Sequence, residues 1–158
     1  GSPLEAAVLR LLVERGQTVA VAESLTGGML GARLSGIAGA SKAFVGGFIT
    51  YNNGQKQGLL GVDPWELAEQ TEVSEPVAIQ MAAAARERSN AHWALSLTGY
   101  AGPDGGTEEN PVGTVYIGIA GPDGLLKAQR FRYPAGDRDR VRQFAVQSAL
   151  NMLRLALS

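Results

Sequence analysis

The segment TVAVAESLTGG, residues 18–28, determines the class of fold that this sequence predicts. Its first half, residues 18–22, is a short apolar run with β-branched side chains, which is typical of a buried strand. Its second half ends in two glycines, and Met29, Leu30 and Leu34 then follow at helical spacing. The segment therefore predicts a strand, a tight turn and a helix, which is a repeating unit of α/β domains.

The same alternation extends along most of the chain. Apolar runs predict further strands, and capping residues followed by helical periodicity predict further helices. The predicted strands cover residues 43–51, 92–98, 112–120 and 125–133, and the predicted helices cover residues 4–15, 56–60, a segment from residue 65, 75–89 and 138–157. The sequence Gly-Pro-Asp-Gly at 121–124 predicts a hairpin between the last two strands.

These elements predict an α/β fold. We expect a single three-layer α/β/α domain over residues 4–158, with a mixed sheet, a C-terminal hairpin and a long C-terminal helix. Residues 1–3, Gly-Ser-Pro, are interpreted as a cloning remnant outside this domain.

The composition of the 158-residue chain excludes several classes of site. There are 14 Lys and Arg against 15 Asp and Glu, so the chain lacks the basic footprint of a protein that binds nucleic acid or an anionic membrane. Cysteine is absent and His92 is the single histidine, which excludes a thiolate nucleophile and a zinc site built on several histidines. No apolar run approaches the ~18 residues of a membrane span. We expect a soluble, cytoplasmic domain that binds neither nucleic acid nor membrane.

The turn ESLTGG, residues 23–28, is the first candidate site. Ligands of open α/β sheets bind beyond the carboxyl ends of the strands, and backbone N–H groups at a helix N-terminus stabilise anions. Ser24 and Thr26 add hydroxyl groups at the same place. The alternative is that Ser24 or Thr26 only caps the following helix, while the glycines only permit close packing. The turn matches neither a P-loop nor a dinucleotide-binding fingerprint.

A second candidate site is the loop TGYAGPDGGT, residues 98–107, which also follows a predicted buried strand. Parallel strands would place this loop and the turn at 23–28 on the same edge of the sheet. The alternative is an ordinary flexible crossover, but loops of more than about ten residues are uncommon in compact domains unless they have a function. We therefore expect this loop to take part in binding.

A nucleophilic Ser24 needs a base, and the sequence offers few candidates. His92 begins its strand whereas Ser24 follows the end of another, so parallel strands would hold the two at opposite ends of the sheet. Among the three lysines, Lys42, Lys56 and Lys127, it is Lys56 that follows the end of a strand at the expected edge. A desolvated lysine has a lowered pKa and can act as a base. There is no Ser-x-x-Lys motif, so the fold would have to bring Lys56 to Ser24.

The C-terminal region predicts a binding residue and an assembly. Five arginines, Arg130, Arg132, Arg138, Arg140 and Arg142, cluster around the start of the last helix. Most are expected on a solvated face, and Arg138, which follows the predicted cap Asp137, is the one expected to clamp a phosphate. The last helix carries two apolar stripes, more than one core-facing side requires, which predicts a homo-oligomer formed through this helix.

Five blocks of the sequence resemble the CinA C-terminal domain family, whose members are competence/damage-inducible proteins. The blocks are AVAESLTGG (20–28), GGFITYNNGQKQGLLGV (46–62), LTGYAGPDGGT (97–107), NPVGTVYIG (110–118) and the arginine-bearing final helix. The resemblance covers residues 5–157, with the blocks in the order of the family. Many members have Cys where this chain has Leu25, which argues against an essential thiol.

The resemblance implies an activity, the hydrolysis of the carboxamide of nicotinamide mononucleotide to nicotinate mononucleotide and ammonia. It implies that Ser24 attacks the amide carbon, that Lys56 accepts the proton, and that backbone N–H groups after Ser24 hold the oxyanion. It also implies a ribose-phosphate site formed by the 98–107 loop and Arg138, with no metal and no organic cofactor. The residues predicted to bind the nucleotide substrate or its phosphate are Thr26, Gly27, Gly28, Tyr51, Thr98, Gly99, Gly102 and Arg138.

Two other functions stay open from the sequence. One is a catalytically silent nucleotide-binding or interaction module of a competence/damage-inducible protein. The other is an amidase of the same chemistry that acts on another pyridine or nucleotide amide. Of these, an enzyme needs Ser24 and Lys56 within hydrogen-bond reach and a silent module does not, so that distance discriminates between the two classes.

Overall fold

The chain forms a central sheet with helices on both faces, in a computed structural model that describes residues 2–158. Of the segment interpreted as a cloning remnant, Gly1 lies outside the described residues. The strands are β1 (Val19–Glu23), β2 (Phe44–Ile49), β3 (Trp93–Gly99), β4 (Thr114–Ala120) and β5 (Leu126–Arg132). The helices are α1 (Leu4–Arg15), α2 (Met29–Ser35), α3 (Asn53–Leu60), α4 (Pro64–Glu69), α5 (Glu75–Ser89) and α6 (Arg138–Leu157), and a short 3-10 helix covers Ala40–Lys42. Within the described range, none of the helices has the length and apolar character that crossing a membrane requires.

The strands lie in the order β2-β1-β3-β4-β5. β1 pairs in parallel with both β2 and β3, whereas β4 is antiparallel to β3 and to β5, so the sheet is mixed as predicted. The last two strands form the predicted hairpin. Because the three parallel strands end at one edge of the sheet, the segments that follow them meet at that edge.

The alternating side chains of β1 divide the core into two parts. Val19 and Val21 pack with apolar residues of α1, α2 and α6. Ala20 and Ala22 pack with apolar residues of α3, α4 and α5 on the other face of the sheet. This division produces the three layers that the sequence predicts, and the same alternation decides which helices face the residues that end the strand.

A β-bulge in the edge strand β2 changes the face to which its side chains point. Val19 pairs with Phe44, but Ala20 pairs with Gly46, so one residue of β2 is unpaired. Gly46 has a φ of 120°, in the region that favours glycine. After the bulge Phe48 packs on the α5 side of the sheet, whereas Phe44 packs on the α2 side. The bulge therefore lets one strand contribute an aromatic ring to each half of the core.

Short polar side chains begin four of the helices. The predicted caps Asp63 of α4, Ser74 of α5 and Asp137 of α6 all accept a backbone hydrogen bond from the first turn of their helix. Helix α3 begins at Asn53, three residues before the predicted start, because the side chain of Asn52 accepts a hydrogen bond from the N–H of Gln55. The earlier start places Lys56 inside a regular helix.

Helix α5 packs directly against β3 and β4. The hydroxyl of Ser96 donates to the carbonyl of Ala78 at 2.6 Å and accepts from the N–H of Gly118 at 3.2 Å. A Cβ atom at Gly118 would lie 2.5 Å from the Ala78 oxygen, which is closer than real Cβ contacts. The short distance between α5 and the sheet therefore depends on the absence of a side chain at Gly118.

The two apolar stripes of α6 are used mostly inside the chain. The stripes comprise Val141, Phe144, Ala145, Val146, Ser148, Leu150, Met152, Leu153 and Leu157. Six of these nine are buried, because α6 packs against the sheet and also against α1. Phe144 is 40% exposed. The core therefore accounts for most of the apolar excess from which a homo-oligomer was expected, and the oligomer stays a prediction.

We expect Gly118→Ala to lower the free energy of unfolding by about 1–3 kcal/mol, because the new methyl group forces α5 away from the sheet. Gly58→Ala is the matched control: Gly58 lies in α3 with no atom within 4 Å of an added Cβ, so alanine should be neutral or stabilising by about 0.5–1 kcal/mol. Urea denaturation followed by tryptophan fluorescence measures both changes. Equal effects of the two substitutions would contradict the packing described here.

Candidate active site

Ser24 lies in the turn between β1 and α2, at the edge where the parallel strands end. Its N–H donates to the carbonyl of Leu97 on β3 at 3.0 Å, which extends the pairing of the strands into the turn. Its hydroxyl oxygen lies 3.0 Å from the Nζ atom of Lys56. The fold thus brings together two predicted residues that are 32 positions apart in the chain.

Lys56 is fully buried in the first turns of α3. Its Nζ atom contacts the Ser24 hydroxyl and donates to the backbone carbonyl of Thr50 at 3.0 Å. Burial lowers the pKa of Lys56 from its usual 10.5 to about 8, and the negative charge of Glu72 opposes part of that shift. A neutral amine is therefore accessible near physiological pH, as a general base requires.

Glu23 points to the opposite face of the sheet from Ser24, as the alternation along β1 predicts. Its carboxylate is buried and accepts hydrogen bonds from the N–H groups of Leu30 and Gly31, both at 2.9 Å. The N-terminus of α2, where the sequence led us to expect a ligand anion, is therefore occupied by a carboxylate of the protein itself. The turn is tight enough for Glu23 to reach back to the first turn of the helix, so an anion site at this turn is left to the N–H groups that precede α2 and stays a prediction.

The hydroxyl of Thr26 has a hydrogen-bond partner inside the protein. The side chain is fully buried, and its Oγ1 donates to the Glu23 carboxylate at 2.6 Å. Neither Ser24 nor Thr26 caps α2, since the residue before the helix is Gly28 and the capping groups are those of Glu23. The alternative of a hydroxyl cap is therefore incorrect, whereas Thr26 as a substrate-binding residue stays a prediction, with its backbone N–H as the group left to meet a ligand.

Gly27 and Gly28 shape the turn through the backbone. Their φ values are 56° and 108°, which side chains rarely adopt. The N–H of Gly27 donates to the carbonyl of Ser24 at 3.1 Å. The N–H groups of Leu25 and Thr26 donate to no acceptor among residues 2–158. These two N–H groups are therefore available to an anionic group beside Ser24.

Three residues of the predicted phosphate site lie together. The guanidinium of Arg138, at the start of α6, donates to the carbonyl of Gly102 at 2.8 Å and to the hydroxyl of Tyr51 at 3.0 Å. Tyr51 follows β2 and is 61% exposed. The segment after β2, the loop after β3 and the start of α6 therefore meet at one exposed point.

Thr98 and Gly99 are placed beneath the site and have packing roles. Thr98 is fully buried and its hydroxyl donates to the backbone carbonyl of Glu72 at 2.6 Å. A Cβ atom at Gly99 would lie 2.7 Å from the carbonyl oxygen of Thr114, so the glycine permits close pairing of β3 with β4. The Thr98 hydroxyl therefore has a backbone partner inside the protein, and Thr98 and Gly99 as substrate-binding residues stay a prediction.

The other candidate bases lie elsewhere. His92 is at the opposite end of the sheet, where its Nδ1 atom accepts from the N–H of Thr18 at 3.0 Å. Lys42 follows α2 on an exposed 3-10 helix, and Lys127 is exposed on the hairpin strand β5. The expectation that these three residues lie away from Ser24 is confirmed.

Arg142 contacts the turn, although the sequence pattern placed it on a solvated face. Its Nε atom donates to the carbonyl of Leu25 at 3.0 Å, and its Nη2 atom donates to the carbonyl of Thr26 at 3.2 Å. The spacing carried a usable signal, because Arg142 is four residues after Arg138 and therefore lies on the same face of α6. For Glu72 there was no comparable signal, since its effect on Lys56 arises only in the folded chain.

Comparisons with known proteins identify the family. A sequence model described as the CinA C-terminal domain matches residues 1–157. The CinA-like proteins of Acaryochloris marina and Synechococcus elongatus are 48% and 50% identical over 98% of this chain. The chain spans 37% of the length of each of these two relatives.

Solved structures of similar proteins have the same fold as this chain. The competence/damage-inducible protein CihA from Agrobacterium tumefaciens has a TM-score of 0.92 and 38% identity, with 99% of this chain and 96% of that chain covered. A CinA superfamily protein from Enterobacter cloacae has a TM-score of 0.93 and 32% identity, with 98% and 90% covered. On sequence and on structure, this chain belongs to the CinA C-terminal domain family.

Proposed function

We propose that this chain hydrolyses the carboxamide of nicotinamide mononucleotide to nicotinate mononucleotide and ammonia, with Ser24 as nucleophile and Lys56 as general base. The observation that carries the proposal is the 3.0 Å contact between the Ser24 hydroxyl and the fully buried Lys56 amine. Burying an amine is unfavourable unless the neighbouring groups compensate, so strongly shifted lysines of this kind concentrate at functional sites.

In the first half of the reaction, neutral Lys56 accepts the hydroxyl proton while the Ser24 oxygen attacks the amide carbon. The negative charge that develops on the carbonyl oxygen is stabilised by the N–H groups of Leu25 and Thr26, which have no other acceptor among residues 2–158. Lys56 then returns the proton to the leaving nitrogen, the C–N bond breaks, and ammonia departs from an acyl-serine.

In the second half, a water molecule attacks the acyl carbon and Lys56 accepts its proton. The second tetrahedral intermediate uses the same N–H groups and collapses with return of the proton to Ser24. The products are nicotinate mononucleotide and free enzyme. The carbonyl of Thr50 keeps the Lys56 amine in place through both halves, since it accepts one N–H and leaves the amine directed at Ser24.

The ribose-phosphate end of the substrate is assigned to the cluster of Arg138, Tyr51 and the Gly102 segment. A guanidinium presents donors in a fork that matches phosphate, and Arg138 lies at the exposed edge that also holds Ser24. This cluster supports a mononucleotide as substrate in preference to free nicotinamide. A silent nucleotide-binding module would account for the cluster but gives no reason for the buried Ser24–Lys56 pair.

We expect Ser24→Ala, Lys56→Ala and Lys56→Arg to lower kcat by several powers of ten, because each removes the nucleophile or a base that can be deprotonated. Lys42→Ala and Lys127→Ala are matched controls and should retain activity, since both lysines are exposed and lie elsewhere. The measurement is ammonia release from nicotinamide mononucleotide, nicotinamide riboside and nicotinamide side by side. More than a tenth of the wild-type kcat in Ser24→Ala, or a fully active Lys56→Arg, would exclude this mechanism.

The pH profile provides a test of the base. Lys56 is charged and cannot accept a proton below its pKa, so kcat/KM should rise with pH through a midpoint of about 8. Because the charge of Glu72 raises the pKa of Lys56, Glu72→Gln should move the midpoint to lower pH. A profile that is flat from pH 6 to 9, or a midpoint that Glu72→Gln shifts upward, would contradict the assignment of Lys56.

We expect Arg138→Ala to raise KM for nicotinamide mononucleotide by roughly 10- to 150-fold, the effect of losing a charge-assisted contact. The KM for nicotinamide riboside, which lacks the phosphate, should change little. Arg140→Ala is the control, because Arg140 is an exposed arginine on the same helix. If Arg138→Ala affected both substrates equally, Arg138 would act on the Gly102 loop and not on phosphate.

A further inference from the structure

Arg142 forms a fork on the turn that holds Ser24. It extends from α6, and its Nε and Nη2 atoms donate to the successive carbonyls of Leu25 and Thr26 at 3.0 and 3.2 Å. The remaining nitrogen pairs with Asp139 at 3.2 Å, whose side chain is 75% exposed. An exposed ion pair of this kind contributes little to the stability of the fold. The contact that matters for the site is therefore the one with the two carbonyls.

The fork determines the direction of a backbone N–H group. The Leu25–Thr26 peptide is trans, so its N–H points away from its C=O. Since Arg142 holds the Leu25 carbonyl, the N–H of Thr26 must point away from Arg142. The preceding peptide is fixed in a similar way, because the Ser24 carbonyl accepts from the N–H of Gly27 at 3.1 Å.

The face of the sheet opposite Arg142 is the one on which the Ser24 hydroxyl meets Lys56. Helix α6 packs on the face of the sheet that also holds α1 and α2. The Ser24 hydroxyl contacts Lys56 of α3, which belongs to the opposite face. A peptide whose carbonyl faces α6 therefore turns its N–H group toward the side of the nucleophile.

We propose that Arg142 is a positioning residue, whose hydrogen bonds to the Leu25 and Thr26 carbonyls aim the Thr26 N–H at the oxyanion formed beside Ser24. Arg142 forms no hydrogen bond to Ser24 or to Lys56. Its positive charge on the carbonyl side also polarises the peptide, which strengthens the N–H as a donor. The inference rests on the proposed amidase function and adds to it the residue that prepares the oxyanion site.

The test compares Arg142→Ala and Arg142→Lys with wild type and with the exposed neighbour variant Arg140→Ala. Loss of an aligned donor should lower kcat by about 10- to 100-fold with KM within about threefold, because the donor acts in the transition state. Arg142→Lys, which can reach one carbonyl, should lie between alanine and wild type. Arg140→Ala should match wild type. Melting temperatures of all four proteins show whether a variant has lost its fold.

Two further measurements separate positioning from a general structural role. The affinity for the product nicotinate mononucleotide, measured by calorimetry, should be the same in Arg142→Lys and wild type. The pH midpoint of kcat/KM should also be the same, since Lys56 and its partners are untouched. An unchanged kcat would overturn the proposal. So would a fall in product affinity that matches the fall in kcat/KM.

A sulfonyl fluoride distinguishes failure of this inference from failure of the proposed function. The reagent forms a bond between its sulfur and the Ser24 oxygen, fluoride leaves, and Lys56 takes the proton. If wild type releases no ammonia from any of the three amides, the proposed function fails. Slower labelling of Ser24 in both Arg142 variants, with an unchanged pH midpoint, would still support the positioning role. Equal labelling rates, or a wild-type Ser24 that does not react, would overturn it.

Discussion

The parallel pairing of β1 with β2 and β3 is the constraint on which the rest of the structure depends. Three strands that run in one direction must end at one edge, so the turn with Ser24, the segment with Tyr51 and the Gly102 loop converge there. Helix α3 begins four residues after β2 ends, and that short connection carries Lys56 back under Ser24. The antiparallel hairpin β4–β5 completes the sheet on the side away from this pair.

The separation of charges at this edge explains why a lysine can serve as the base. The Lys56 amine forms hydrogen bonds to a hydroxyl and a backbone carbonyl but to no carboxylate, and the charge of Glu72 only partly opposes the effect of burial on its pKa. Glu23 is adjacent to Ser24 in sequence, yet its carboxylate binds the N-terminus of α2 on the other face of the sheet. If that carboxylate faced Lys56, the ion pair would hold the amine in its charged form and remove the base.

The sequence predicts the elements because they follow from local signals, whereas the Ser24–Lys56 pair was predicted from the strand ends, from the lack of another suitable base and from the family resemblance. Caps such as Ser74 and Asp137 have short-range causes, and the end of a strand indicates the edge at which a residue lies. The hydrogen-bond partners of short polar side chains were harder to predict. The hydroxyls of Thr26 and Thr98 each had several possible partners, and the folded chain decided in favour of Glu23 and a backbone carbonyl. The fork of Arg142 likewise depends on how α6 docks: the spacing from Arg138 indicates the face of the helix but not the carbonyls that Arg142 contacts.

The alternation along β1 determines which face of the sheet each residue in this part of the chain occupies. Glu23 and Ser24 face opposite layers because successive residues of a strand do so. One residue inserted into or deleted from β1 would exchange the two faces for every position that follows, and the carboxylate would then meet the lysine. Among related chains, length changes inside this strand are therefore compatible with the site only in steps of two, whereas the exposed loop after β3 is free of that restriction.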